Sequence, residues 1–280
     1  MADLSSQQWT IIRDCLAARC GLYLDDSRQN QGLGMAQKRI KVLGLTAAAY
    51  TALVQTSAGA TELRELAEQL ANHETQFFRN PAHFRLLQSQ ILPELHRLRP
   101  PMRSLRIWSA GCATGEEPYG IAITALETLG HPLERPVRIW GTDLSGAALD
   151  RARAGVYRGR SLANLHPTQR RWFGEHGAGL QVGTTAQSLV QFEQHNLLDP
   201  FPGWAMDLDI VFCQNVTIYF QLATCKELIA RIYDAMAEGG YLFLGFSETL
   251  WGIFDRFETV ECEGAFLYRK NSRLAAPSPR

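Results

Sequence analysis

A chain of 280 residues is long enough for one large domain or two small ones, either able to bury a core. Hydrophobic residues make up 46% and charged residues 20%, as in an ordinary globular protein, and Lys plus Arg equals Asp plus Glu at 28 each. That balance excludes a general attraction to nucleic acid or membrane surface, so a charged partner must be met by a local patch.

Trp9, Ile12 and Leu16 lie at helical spacing and predict a first helix. Ile40 and Leu43, followed by Gly44, predict the end of a second, because glycine is the usual helix stop. Leu63, Leu66, Ala67 and Leu70 form the stripe of a third, with Thr61 placed as its N-cap. No strand is expected before residue 100. In the segment His73 to Pro81, a Phe-Phe pair flanked by Thr75 and Arg79 reads as a loop packed on a neighbour. An Arg there is ordinarily a surface group.

After Pro100-Pro101 the pattern changes. Leu105 to Trp108 reads as a strand, Ser109 to Gly115 as a glycine-containing turn, and Ile121 to Leu126 as part of the helix that follows. A strand from Val137 ends at Asp143, and a helix covers Ala147 to Ala154. Val190 to Phe192 is strand-like, Asp209 to Cys213 is a strand, Leu222 to Met236 a helix, and Tyr241 to Leu244 a strand. Residues 257–268 suit a terminal hairpin, and the Pro-containing tail from Asn271 is expected to be disordered. Strands alternating with helices predict a doubly wound α/β sheet, mainly parallel.

The six cysteines (Cys15, Cys20, Cys112, Cys213, Cys225 and Cys262) form no C-x-x-C pair and no zinc-like spacing with His. They read as reduced thiols of a cytoplasmic protein, and no metal is expected. No leader-like segment and no apolar run of membrane-spanning length is present.

In an open α/β sheet, ligands sit beyond the carboxyl ends of the strands. The turn after the first strand lacks both the G-x-G-x-x-G and the P-loop spacing, and offers Glu116 and Glu117 at the helix start. Two acidic groups there repel phosphate and suit a ligand with a cationic end, such as S-adenosylmethionine. Stabilisation of the helix start by the dipole explains the pair equally well. Asp143, ending the next strand, can accept both hydroxyls of a ribose; alone it would read as a helix cap, but the glycine turn one strand earlier favours the ribose. Asn196 or Asp199, after the strand-like Val190 to Phe192, could reach an adenine edge or simply form a turn. Gln214 and Asn215 close a buried strand at the same face, and spacing alone leaves Tyr219 open between core and site.

Together these segments resemble the CheR family of receptor methyltransferases along nearly the whole chain. The resemblance is carried by His73 to Arg79, by Ser109 to Tyr119, by Thr142 to Ser145 and by Asn196 to Pro200. It continues through Phe212 to Val216, Ile218 to Phe220 and Gly245 to Glu248. It implies a Rossmann-like class I methyltransferase sheet over residues 101–270, with an all-α N-terminal domain over 1–75 and a linker over 76–100. A small antiparallel β insertion is placed at about 178–194 and a disordered tail at 271–280.

The resemblance further implies that Thr75, Arg79, Gly111, Glu116, Glu117, Asp143, Asn196, Leu197, Gln214 and Asn215 bind S-adenosylmethionine. Arg79 and Tyr219 would stand nearest the methyl transfer, with S-adenosylhomocysteine as product. Lys38, Arg39 and Lys41 would meet the acidic helical bundle of a chemoreceptor, although a solvated helix face explains them equally well. In some members the β insertion docks a receptor tail peptide. A monomer without membrane insertion is implied. His73, Gln214 and Phe246 depart from the family's usual Asn, Arg and His. The alternatives are a cofactor-binding regulatory protein without turnover and a methyltransferase for another substrate.

Overall fold

Helices fill the first seventy residues, as the apolar spacing predicts; the computed structural model describes residues 4–262 and 264–271. Helix α1 (Ser6–Cys20) opens with a capping box, Ser5 Oγ accepting from Gln8 N while the Gln8 side chain accepts from Ser5 N. It is followed by α2 (Gln29–Leu43), α3 (Ala47–Gln55) and α4 (Ala60–Leu70). Their stripes meet in one core that includes Trp9, Ile12, Leu16, Ile40, Tyr50, Leu63 and Leu66. Gly44 ends α2 in the left-handed conformation. Thr61 does not cap α4: a 3-10 turn over Ser57–Gly59 runs directly into the helix, which puts Gly59 at the cap position.

The span 76–100 is mostly helix. Proline opens α5 (Pro81–Leu86), where its missing N–H costs no hydrogen bond. A π turn over Leu87–Ile91 leads into α6 (Leu92–Leu98). Phe84, Leu87 and Leu92 bury this helix against the sheet.

The sheet and its covering helices come next: β1 (Leu105–Ala110), α7 (Glu116–Leu129), β2 (Val137–Asp143), α8 (Gly146–Ala154) and β3 (Val156–Tyr157). Then come β4 (Phe173–His176), β5 (Gly179–Val182), the short α9 (Thr184–Gln187), β6 (Val190–Gln194) and β7 (Leu208–Cys213). The chain closes with α10 (Leu222–Ala235), β8 (Met236–Leu244), β9 (Phe257–Cys262) and β10 (Ala265–Lys270). Seven strands order as β6-β2-β1-β7-β8-β10-β9; the first five are parallel and the final hairpin is antiparallel. The α/β class and the terminal hairpin follow the expectation.

Successive side chains alternate between the two faces of the sheet. Ile107, Ile210, Phe212 and Phe243 pack under α5 to α7, with the Phe212 and Phe243 rings stacked at 4.3 Å. Trp108, Val211, Leu242 and Leu244 pack under α10. The order reverses between β1 and β7, which creates a switch-point crevice at their carboxyl ends.

A separate antiparallel sheet of order β3-β5-β4 draws its strands from residues 156–182. The insertion placed at 178–194 therefore begins earlier in the chain. Val190–Gln194 belongs to the main sheet, where it pairs in parallel with β2. Four cysteines are buried, Cys15 and Cys262 are partly exposed, and all six are free. No described helix is long and apolar enough to cross a membrane. Of the tail expected to be disordered, residues 272–280 lie outside the described residues.

Candidate functional site

The turn after β1 is built for close approach. Gly111 has φ 76°, and a Cβ there would sit 2.5 Å from Val216 Cγ2, so only glycine lets the two loops meet. Ala113, two residues on, is also left-handed at φ 49°. Together with Phe78 and Asn215 it puts three of the four described non-glycine residues of positive φ in loops around one cavity.

The two glutamates at the start of α7 diverge. Glu117 faces the cavity and accepts a 2.6 Å hydrogen bond from Ser109 Oγ. Burial pushes its carboxyl up to about 7, against the opposing pull of the Ser109 bond and of the Arg79 charge. Glu116 turns inward, only 1% exposed, and accepts from Thr114 Oγ1 and Ser161 Oγ at 2.7 and 2.8 Å. It is a structural brace and does not line the cavity.

Asp143 ends β2 beside the turn, its Oδ2 accepting from Ala113 N at 2.8 Å and its Oδ1 from Ser145 N at 2.9 Å. Burial raises its carboxyl, while the two amides and the adjacent His73 pull it back. Each oxygen keeps lone-pair capacity for a further donor. After β6, Asn196 and Leu197 form part of the wall. The Asn196 amide is already engaged, donating to the Arg19 carbonyl at 2.6 Å and accepting from Leu198 N at 3.1 Å. Its side chain thus ties α1 to the sheet, and an adenine would meet the apolar wall around it.

The loop after β7 rests on a residue that sequence reasoning left without a role. Glu248 accepts from the backbone N–H groups of Asn215, Val216, Thr217 and Gly245 and from Thr217 Oγ1, at 2.6 to 3.0 Å. A Cβ on Gly245 would lie 2.6 Å from Glu248 Oε2, so this glycine gives the carboxylate its path. Local sequence holds no signal for the role, because most of the donors are amides some thirty positions upstream. Gln214 bonds Asn80 and His83 Nδ1, the latter at 3.0 Å, and forms a wall.

These groups enclose a cavity of two lobes. The inner lobe holds Asp143 among apolar Leu22, Leu144, Leu197, Val216 and Phe220. The outer lobe holds Thr75, Arg79, Glu117 and Gln214. Gly111, Ala113, Asn215 and Tyr219 line both. The helical layer supplies the roof through Cys20, Leu22, Ala67 and Ala71. Tyr219 stands at the junction. Its carbonyl accepts from Tyr23 N at 2.8 Å, and the Arg28 guanidinium lies 5.4 Å from its ring. Among the described residues nothing bonds its hydroxyl. Arg79 is exposed and, among the described residues, donates only to the Glu74 carbonyl, at 3.2 Å.

The basic triplet on α2 separates. Lys38 and Lys41 are exposed, whereas Arg39 is 14% exposed and pairs with Glu62, which also accepts from Tyr50 Oη at 2.8 Å. Arg39 is therefore a strut of the helical core rather than a surface contact. None of the three lines the cavity. Among the described residues no cluster of His, Cys, Asp and Glu is arranged to hold a metal ion.

The donor set fits S-adenosylmethionine: an apolar lobe for adenine, Asp143 for the ribose hydroxyls, a side-chain-free turn between, and Glu117 for the ammonium. The family model described as "CheR methyltransferase, SAM binding domain" matches residues 73–266. Chemotaxis protein methyltransferase 1 of Pseudomonas aeruginosa is 35% identical over 280 residues, covering 95% of this chain and 98% of that protein. Chemotaxis protein methyltransferase Cher2 of Pseudomonas putida is 35% identical over the same shares of the two chains. The chemotaxis protein methyltransferase of Escherichia coli is 32% identical, covering 91% of this chain and 88% of that protein.

Proposed function

The chain belongs to the CheR family of S-adenosylmethionine-dependent methyltransferases, and from that premise we propose that it esterifies glutamate side chains on the cytoplasmic helical bundle of a chemoreceptor. The products are a glutamyl methyl ester and S-adenosylhomocysteine. The observation that carries the reading is the meeting of Arg79, Glu117 and Tyr219 in an outer lobe contiguous with the Asp143 lobe.

Bound here, S-adenosylmethionine supplies an electrophilic methyl group on a positively charged sulfur. Asp143 accepts the ribose hydroxyls, Glu117 takes the ammonium, and the apolar inner lobe excludes water from the adenine. A substrate glutamate, with an ordinary pKa of about 4.3, is ionised at neutral pH and needs no general base. The chain's task is placement. Arg79, exposed, with its charge felt at Glu117 but in no ion pair among the described residues, holds the incoming carboxylate by a charge-assisted fork. The unbonded Tyr219 hydroxyl donates to the same carboxylate and keeps one oxygen turned toward the methyl.

In this reading residues 1–75 form a roof domain, the helix within 76–100 is the tether, and 101–270 is the cofactor domain. Lys38 and Lys41 present the positive face to the receptor. Gln214, the residue that suggests a protein without turnover, is held in the wall by Asn80 and His83. Transfer of labelled methyl from S-adenosylmethionine to a soluble receptor fragment, with release of the label by mild base, tests the proposal. A base-stable product or no label on the fragment would refute it.

A further inference from the structure

The loop that follows β8 carries large apolar side chains into solvent. Phe246 is 98% exposed and Trp251 93%, and Phe266 at the start of β10 is 56% exposed. They flank a groove of about 770 Å³ whose floor includes the buried Leu244, Leu250 and Phe257. A Phe and a Trp left in water over an apolar floor mark an interaction surface.

The groove's position says what covers it. Asn80 and His83 stand in its wall, and both bond Gln214, which faces the outer lobe. Glu248 stands in the same wall and bonds Asn215, which lines both lobes. Groove and outer lobe therefore lie on opposite sides of one layer of side chains. Both open at the carboxyl end of the parallel strands, where ligands of such sheets sit. The cofactor lobe lies over β1, β2 and β6, the outer lobe over β1 and β7, and the groove over β8 and β10. A protein surface that delivers a carboxylate into the outer lobe has this groove directly beside it, one layer of side chains away.

We propose that the groove bounded by Phe246, Trp251 and Phe266 seats the apolar stripe of the substrate helix that carries the target glutamate. On a helix, residues three or four positions away share the glutamate's face, about one turn or ~5.4 Å along the axis. The groove reads that flanking turn, and so selects glutamates with apolar neighbours at those positions. The inference rests on the methyltransferase reading above.

Phe246→Ser and Trp251→Ala, singly and together in the full chain, test it with a soluble receptor fragment as substrate. The double variant raises KM for the fragment about tenfold or more. It leaves kcat, calorimetric affinity for S-adenosylmethionine and melting temperature near wild type. An unchanged KM overturns the proposal. So does a wild-type dimer that the double variant converts to monomer at constant KM, because a second copy would then be the occupant. Loss of vesicle binding at constant KM would assign the groove to a lipid surface and equally overturn it. Fragment binding is measured in parallel by fluorescence anisotropy. If the wild type forms no ester, the functional reading fails, while a tenfold weaker binding by the double variant still supports the groove as the seat and unchanged binding refutes it.

Discussion

The carboxylate of Glu248 stands 2.6 Å from the backbone nitrogen of Asn215, and through it holds the whole corner after β7. The same carboxylate takes the next two amides and the Thr217 hydroxyl, so one side chain satisfies a turn that has no other partner for these donors among the described residues. Glu248→Ala leaves them unpaired and is expected to cost about 2–3 kcal/mol of stability. Because Asn215 is left-handed at φ 59°, the loop will also relax, and cofactor affinity should fall with stability. Thermal unfolding with and without S-adenosylmethionine checks this; a variant with native melting and native affinity would contradict it.

Arg79 is expected to behave in the opposite way. It is exposed and bonds one carbonyl, so Arg79→Ala should change stability by no more than about 0.5 kcal/mol. Turnover should drop about 100-fold or more, since the fork that fixes the nucleophile is gone. Methylation near the wild-type rate would remove Arg79 from the reaction.

Glu117 gives the cofactor-free enzyme a pH signature. Burial raises its carboxyl from 4.5 to about 7, so the folded state holds the proton more tightly than the unfolded state does. The stability this contributes is complete below about 4.5 and is lost as pH rises through about 7. Cofactor affinity runs the other way, because the ammonium requires the ionised carboxylate. Binding should strengthen as pH rises toward and through 7 and level off above it. Calorimetric titrations across pH 5.5–8.5 should show that slope in the wild type and lose it in Glu117→Gln, whose affinity is weak throughout.

The basic triplet on α2 should divide by phenotype. Lys38→Glu with Lys41→Glu is expected to raise KM for the receptor fragment severalfold, most strongly at low salt, with cofactor affinity unchanged. Arg39→Ala strands the buried Glu62 and should destabilise the helical core by about 3 kcal/mol. Equal effects of the three substitutions on KM, at constant stability, would contradict this division.

The strand–turn–helix at β1 and the carboxylate ending β2 were legible because both signals are local: apolar alternation, a glycine turn and an acid at a strand end. What escaped depends on contacts distant in sequence. Glu116 and Glu117 are neighbours with the same chemistry, and their partners, Thr114 and Ser161 for one and Ser109 for the other, go with which of them faces the cavity. Lys38, Arg39 and Lys41 look alike until Glu62, 23 positions on, claims one. Asn196 lines the cavity as expected, and the tie from its amide to the end of α1, 177 positions away, is not visible locally. The strands of the small sheet, two to four residues long, have too little period to register, whereas the longer apolar-alternating β6 reads as a strand without revealing which sheet it joins.

The roof over the inner lobe comes from residues of the helical layer that precede the first strand in the chain, so a bound cofactor would touch two packed cores at once. It acts as mortar between them as well as reagent. Among the described residues the helical layer is joined to the strands by bonds such as Asn196 to Arg19, Gly146 to Glu68 and Tyr23 to Tyr219, and by Leu144 and Tyr219 packed on the helical core. With the cofactor bound, each core is stabilised through the other, by an amount that grows with the free concentration of whichever form of the cofactor is bound.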